Sequence, residues 1–232
     1  MNFSKRSILV TVIAFLLVAP SAAVLAQTED TAESQGTVVA TVNGDEITER
    51  DLSQATQVNE IAMQFQNFAE FLMTSEVGNE FLDAYRNHTL DQLIKQLLAE
   101  QKVEELGIEV SDEDVQAEVD NIIANYDQFD DEESLDEFLQ DNQNTTLEDY
   151  RERIRQGLRQ NKLREKVTGE MQVSEEEVTE FYEENESLYT DQQGNVQSLE
   201  SVRDRVRDDL AWEEWMEQAE EEADIEKNLE SL

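Results

Sequence analysis

Three helix starts in this sequence follow one plan, and they constrain its fold more than any other feature. Ser111-Asp112-Glu113-Asp114 and Ser174-Glu175-Glu176-Glu177 are capping-box patterns, the first with Asp where Glu is usual. In such a box the leading hydroxyl accepts from the backbone N–H three residues on, and the carboxylate accepts from the leading N–H in return. An apolar pair brackets each box as a hydrophobic staple: Val110 with Val115, and Val173 with Val178. Thr48 repeats the device, with Ile47 facing Leu52. The chain has one proline, Pro20, so beyond it no proline interrupts a long helix. The expected fold class is mostly α.

From these signals we place helices at 49–74, 80–105, 112–125, 135–141, 147–169, 175–187 and 198–222. Gly78 separates the first two, and Gly107 ends the second as the glycine just past a helix. Residues 126–133 read as an acidic loop and 190–195 as a second polar loop. Val38 to Val42 is a short apolar strand, followed by Asn43-Gly44, a turn signal because both residues tolerate positive φ. Asp224 to Leu229 reads as another short strand. A lone strand leaves backbone groups unpaired, so these two are expected to pair, giving a minor β element that joins the N- and C-terminal segments.

The first 26 residues have the order of a secretory signal. Lys5 and Arg6 form a positive start, Ser7 to Val18 is almost unbroken apolar sequence, and Val24-Leu25-Ala26 offers small residues to a peptidase. We expect cleavage after Ala26. The alternative is an uncleaved anchor, since Ile8 to Leu25 approaches the roughly 20 residues that span a membrane. The organisation is then a signal peptide at 1–26, a flexible acidic leader at 27–37 and a helical domain at 38–232. Such a protein is exported, to a periplasm or to the outer face of the cytoplasmic membrane. It contacts membrane only if the signal persists as an anchor. With no cysteine, disulfides and thiolate metal sites are excluded.

Lys and Arg total 17 against 56 Asp and Glu, a net charge of −39. That balance opposes binding to nucleic acid or to anionic lipid. Apolar periodicity argues against wholesale disorder. Solubility, with adaptation to high salt as one form of it, is the plainer reading of the charge.

At this point several segments match a known family. Residues 39–48 (VATVNGDEIT) resemble the opening of the SurA, PpiD and PrsA family of extracytoplasmic folding factors. Residues 90–119 (LDQLIKQLLAEQKVEELGIEVSDEDVQAEV) are similar to that family's long helix and the box that follows it, and 173–189 (VSEEEVTEFYEENESLY) to its third signature. Residues 212–229 resemble the closing helix and strand. The resemblance implies a SurA-like helical chaperone domain whose terminal segments fold together, and binding of unfolded or nascent exported proteins. In the family's isomerases a parvulin domain follows the third signature. Here a short loop, 190–197, leads directly to the last helix, and a domain needs about 50 residues. A parvulin-type site would also need a histidine-bearing cluster, and the chain has one histidine, His88. We therefore expect no enzyme. No Walker loop, nucleophile elbow, zincin motif or dinucleotide-binding glycine pattern is present, and we assign no cofactor, no metal and no catalytic residue.

A chaperone that works without ATP needs accessible apolar surface. In the first helix Val58, Ile61, Ala62, Phe65, Ala69 and Leu72 form one stripe at helical spacing, which reads as core. Met63 and Phe71 fall on the opposite face, with Phe68 and Met73 at the stripe's edges. These four are the candidate client-binding residues; the alternative is that another helix covers them. Arg151, Arg155, Arg159, Lys162 and Lys166 form a basic ridge, for which we prefer an internal role beside the acidic helix starts to the attachment of acidic clients. The run Asp127 to Glu133 offers oxygens to Ca²⁺, but a solvated loop is the simpler reading. Trp212 and Trp215 are expected to be core anchors. The function expected is that of an ATP-independent holdase. The rivals are a prolyl isomerase and a structural or assembly subunit of the cell envelope.

Overall fold

A computed structural model describes residues 36–56, 66–126, 128–191 and 193–228. The signal, most of the leader, and Val58, Ile61, Ala62, Met63 and Phe65 lie outside the described residues. In chain order the elements are β1 (Val38–Val42), β2 (Asp45–Thr48), α1 (Glu49–Thr56), α2 (Gln66–Thr74), α3 (Glu76–Glu105), α4 (Asp112–Asn125), α5 (Glu132–Gln143) and α6 (Leu147–Glu170). They continue with α7 (Glu175–Glu184), a 3₁₀ turn (Glu186–Leu188), α8 (Leu199–Glu222) and β3 (Ile225–Lys227). The mostly α expectation is met.

All three boxes form. At Thr48 the hydroxyl accepts from Asp51 N–H at 3.3 Å, and Thr48 N–H donates to the Asp51 carboxylate at 2.9 Å. Ser111 and Asp114 make the same exchange, as do Ser174 and Glu177. Thr146 with Asp149 is a fourth box. Donation by the capping hydroxyl and N–H holds the Asp149 carboxyl below its ordinary value, and those at Ser174 do the same for Glu177. At the far end of α3, Gly107 N–H donates to Glu104 O and Ile108 N–H to Val103 O, the paired bonds of a Schellman motif.

The chain forms two compact units. The first comprises, of the described residues, 36–38, 48–56, 66–89 and most of 116–154. A core there joins Val119 and Ile122 of α4, Phe129, Leu135 and Leu139 of α5, and Leu147 and Tyr150 of α6. Phe129 meets Phe138 edge-on at 5.4 Å. The acidic loop is shorter than expected, because α5 starts at Glu132. Asp131 is its cap, accepting from Ser134 N–H at 3.0 Å while the Ser134 hydroxyl accepts from Asp131 N–H.

The second unit comprises 39–47, 90–115 and residues from Arg155 on. In its sheet, strand order is β2-β1-β3. β1 and β3 run antiparallel, with Val42 opposite Ile225, so the expected pairing of the terminal segments is present. The N-terminal strand is not alone, however. The Asn43-Gly44 turn closes a hairpin with β2, both residues having positive φ (52° and 95°), as a type I′ turn requires. Asp45-Glu46 carries no apolar pattern, so β2 gives little sign of itself in the sequence. Val39, Ala40 and Val42 of β1 are buried, as a central strand demands. A second core joins Val178 and Tyr182 of α7, Tyr189, and Val202 and Val206 of α8.

Between α7 and α8 the chain turns back on itself. Thr190 bridges Val196, Gln197 N–H donates to Tyr189 O at 2.7 Å, and the Asp191 carboxylate accepts from Gln193 and Asn195 N–H. The short loop read from the sequence is thus a closed hairpin leading directly into α8.

Candidate functional site

The candidate surface lies in the first unit, where α2 turns into α3. Ser75 makes the corner. Its hydroxyl donates to Phe71 O at 2.8 Å and accepts from Gly78 N–H at 2.9 Å, ending one helix and capping the next. Gly78 is therefore not the break between helices but part of the first turn of α3, which begins four residues earlier than expected. The glycine is required by close approach: a Cβ there would lie 2.6 Å from Leu72 Cα and 2.7 Å from Leu72 O, and would also strike the Phe71 carbonyl.

At this corner Leu72 points inward and is 6% exposed, as the core stripe requires. Phe68, Phe71 and Met73 are 45%, 48% and 58% exposed. Phe68 and Phe71 stack with ring centroids 6.5 Å apart. Met63, the fourth candidate, lies outside the described residues. Sequence reading missed two more exposed apolar side chains, Val77 at 65% and Phe81 at 53%. Val77 was hidden by starting α3 at residue 80, and Phe81 by a helix whose apolar residues do not fall on one clean stripe. Phe81 stacks on Tyr85 at 6.1 Å, and the Tyr85 hydroxyl donates to Thr56 O. Exposed aromatic and methionine side chains in one stretch can make apolar contacts with a non-native chain, methionine adapting readily to irregular shapes.

Most of the basic ridge has internal partners. Arg151 pairs with Glu132 at 2.9 Å and donates to Gln116. Arg155 pairs with Asp112 at 2.5 Å, and Lys162 with Asp114 at 3.0 Å. Lys162 holds the Asp114 carboxyl below its ordinary value, helped by the Ser111 donors. The α4 start thus has the positive neighbours expected of it. The α7 start is matched instead from α8: Arg207 and Arg203 both pair with Glu175 and lower its pKa. Arg159 and Lys166 are exposed, with no ion-pair partner among the described residues.

The other singled-out residues have plain places. His88 is exposed on α3. Trp212 and Trp215 are half-buried, not core: they stack on each other at 4.8 Å, with the Arg164 guanidinium over Trp212 at 5.4 Å. Ala211 and Met216 take the buried positions on that helix. Among the described residues no helix is long and apolar enough to cross a membrane, and no group of carboxylates and histidine is arranged to hold a metal ion.

The family model described as the SurA-like N-terminal domain matches residues 1–164, well over half of the chain. The chain belongs to that family. This SurA-like chain is 28% identical over 169 residues to the foldase protein PrsA of Clostridium botulinum, covering 70% of this chain and 49% of that one. It is 28% identical over 156 residues to the PrsA of Caldanaerobacter subterraneus subsp. tengcongensis, covering 66% and 44%. The chain thus spans about half the length of the curated relatives it matches. Among solved structures, it resembles one described under PEB4 and Cj1289, two structurally related SurA-like chaperones of Campylobacter jejuni. The TM-score is 0.50 at 12% identity, over 84% of this chain and 100% of that one. At that identity the likeness speaks for the fold, and it is the SurA-like fold that the terminal strand pairing and the boxed helices build.

Proposed function

We propose that this SurA-like chain is an ATP-independent extracytoplasmic chaperone that holds unfolded or nascent exported proteins through the α2–α3 corner. The carrying observation is the run of Phe68, Phe71, Met73, Val77 and Phe81, all exposed within residues 68–81. Large apolar side chains displayed together cost solubility unless they meet a partner. Membership of a chaperone family and likeness to PrsA foldases support the reading. The sequence supports the location, because the first 26 residues have the order of an export signal. Binding would be loose and reversible, with each side chain contributing apolar burial of about 25 cal/mol per Å².

The test is equilibrium binding of a fluorescently labelled, permanently unfolded exported polypeptide. Changing Phe71 and Met73 to Ser should weaken binding about tenfold while leaving the melting temperature nearly unchanged. A large fall in melting temperature with unchanged binding would show these side chains to be structural and defeat the proposal. The enzyme rival predicts faster cis–trans exchange in a proline peptide. The close run of Tyr189 into the hairpin at 190–197 and then α8 speaks against an inserted catalytic domain there.

A further inference from the structure

The exposed apolar stretch is bordered by carboxylates and holds no cation. Between Arg50 and Arg86 the sequence has neither lysine nor arginine. Glu70, Glu76, Glu80 and Asp83 are all exposed, and none has an ion-pair partner among the described residues. At the starts of α4 and α7, by contrast, Asp112, Asp114 and Glu175 each meet a cation. On α3, Glu76, Glu80 and Asp83 stand four and three residues apart and so form one row. Val77 and Phe81 form the adjoining row, one position later. Glu76, in the first turn of α3, favours the helix start, but Glu80 and Asp83 lie beyond that turn, where like charges at this spacing weaken a helix.

Resting on the client-binding reading above, we infer that this surface selects apolar segments flanked by lysine or arginine over apolar segments in general. The apolar row supplies short-range contact. The carboxylate row beside it supplies attraction that reaches about 10 Å at 0.1 M salt. A flanking lysine also keeps its own stem against apolar surface while its ammonium reaches the carboxylates. A client with acidic flanks meets repulsion on both counts.

The experiment uses three labelled peptides with one aromatic-rich apolar centre and flanks of Lys, Ser or Glu, titrated with the full chain at low salt. Binding should be strongest with Lys flanks, by about tenfold over Ser, as several weak exposed pairs together would give, and weakest with Glu. The E70Q/E76Q/E80Q/D83N variant should lose most of that preference. An E183Q/E184Q/E221Q/E222Q control, with the same change in net charge, should keep it. Equal loss in both variants would assign the preference to overall charge and overturn the inference. Equal affinity for all three peptides would overturn it while leaving the client-binding reading intact. No binding of any peptide would overturn both.

Discussion

Asn43 and Asp224, 181 residues apart, exchange two hydrogen bonds: Asn43 N–H donates to Asp224 O at 2.8 Å, and Asp224 N–H donates to Asn43 Oδ1 at 2.9 Å. Asn43 also donates from its amide to Gln101, whose own amide donates to Val42 O at 3.0 Å. One turn residue thus joins the first hairpin, the last strand and α3. Asn43→Ala removes these side-chain bonds and puts a Cβ without local hydrogen bonding at positive φ. It should cost about 2–3 kcal/mol in urea unfolding. Asn43→Gly keeps the backbone conformation and should cost about 1 kcal/mol less. Equal losses would mean that the backbone contributes nothing.

Gly78→Ala should be among the most damaging single-methyl changes. The added carbon meets backbone atoms of Phe71 and Leu72, which cannot rotate away. A loss of about 3 kcal/mol is expected, measured by chemical denaturation. A neutral result would show that the α2–α3 corner opens easily.

Tyr189 should titrate late. Burial, then the neighbouring Asp209 charge and the hydrogen bond it accepts at 3.1 Å, push the phenol up to about 12. The folded state therefore favours the neutral phenol. Its contribution to stability is complete below the ordinary tyrosine value of about 10 and is lost as pH rises toward 12. Ultraviolet titration should show a phenol ionising well after the first, and Tyr189→Phe should remove that step. Ionisation of all tyrosines near pH 10 in the folded protein would contradict this.

Salt should stabilise the protein. A net charge of −39 repels itself, and raising NaCl from 0.1 to 1 M shortens the screening length from about 10 to about 3 Å. Exposed pairs such as Lys162–Asp114 weaken at the same time, but each is worth at most about 1 kcal/mol. The melting temperature should rise by about 5 °C. A fall would mean that the ion pairs outweigh the repulsion.

Helix starts were legible because capping is local chemistry: Thr48, Ser111 and Ser174 each find their partner three residues away. The pairing of β1 with β3 was legible from the backbone's need for partners. β2 was not, since Asp45 and Glu46 are exposed and its pairing depends on the turn rather than on apolar alternation. Trp212 and Trp215 were misread as core because size suggested burial, while the packing of α8 selected Ala211 and Met216 instead. The exposure of Phe71 was legible from its place opposite the core stripe, and that of Phe68 and Met73 from theirs at its edges. Val77 required knowing that Ser75, not Gly78, makes the corner, and Phe81 was hidden because the apolar residues of α3 do not fall on one clean stripe.

The proposed function is protection of non-native exported proteins without nucleotide. Light scattering of an unfolded exported protein diluted into buffer, with and without the chain, tests it most directly. Scattering should be suppressed with no ATP present, and the suppression largely lost when Phe71 and Phe81 are changed to Ser. Unchanged scattering at both low and high salt would contradict it.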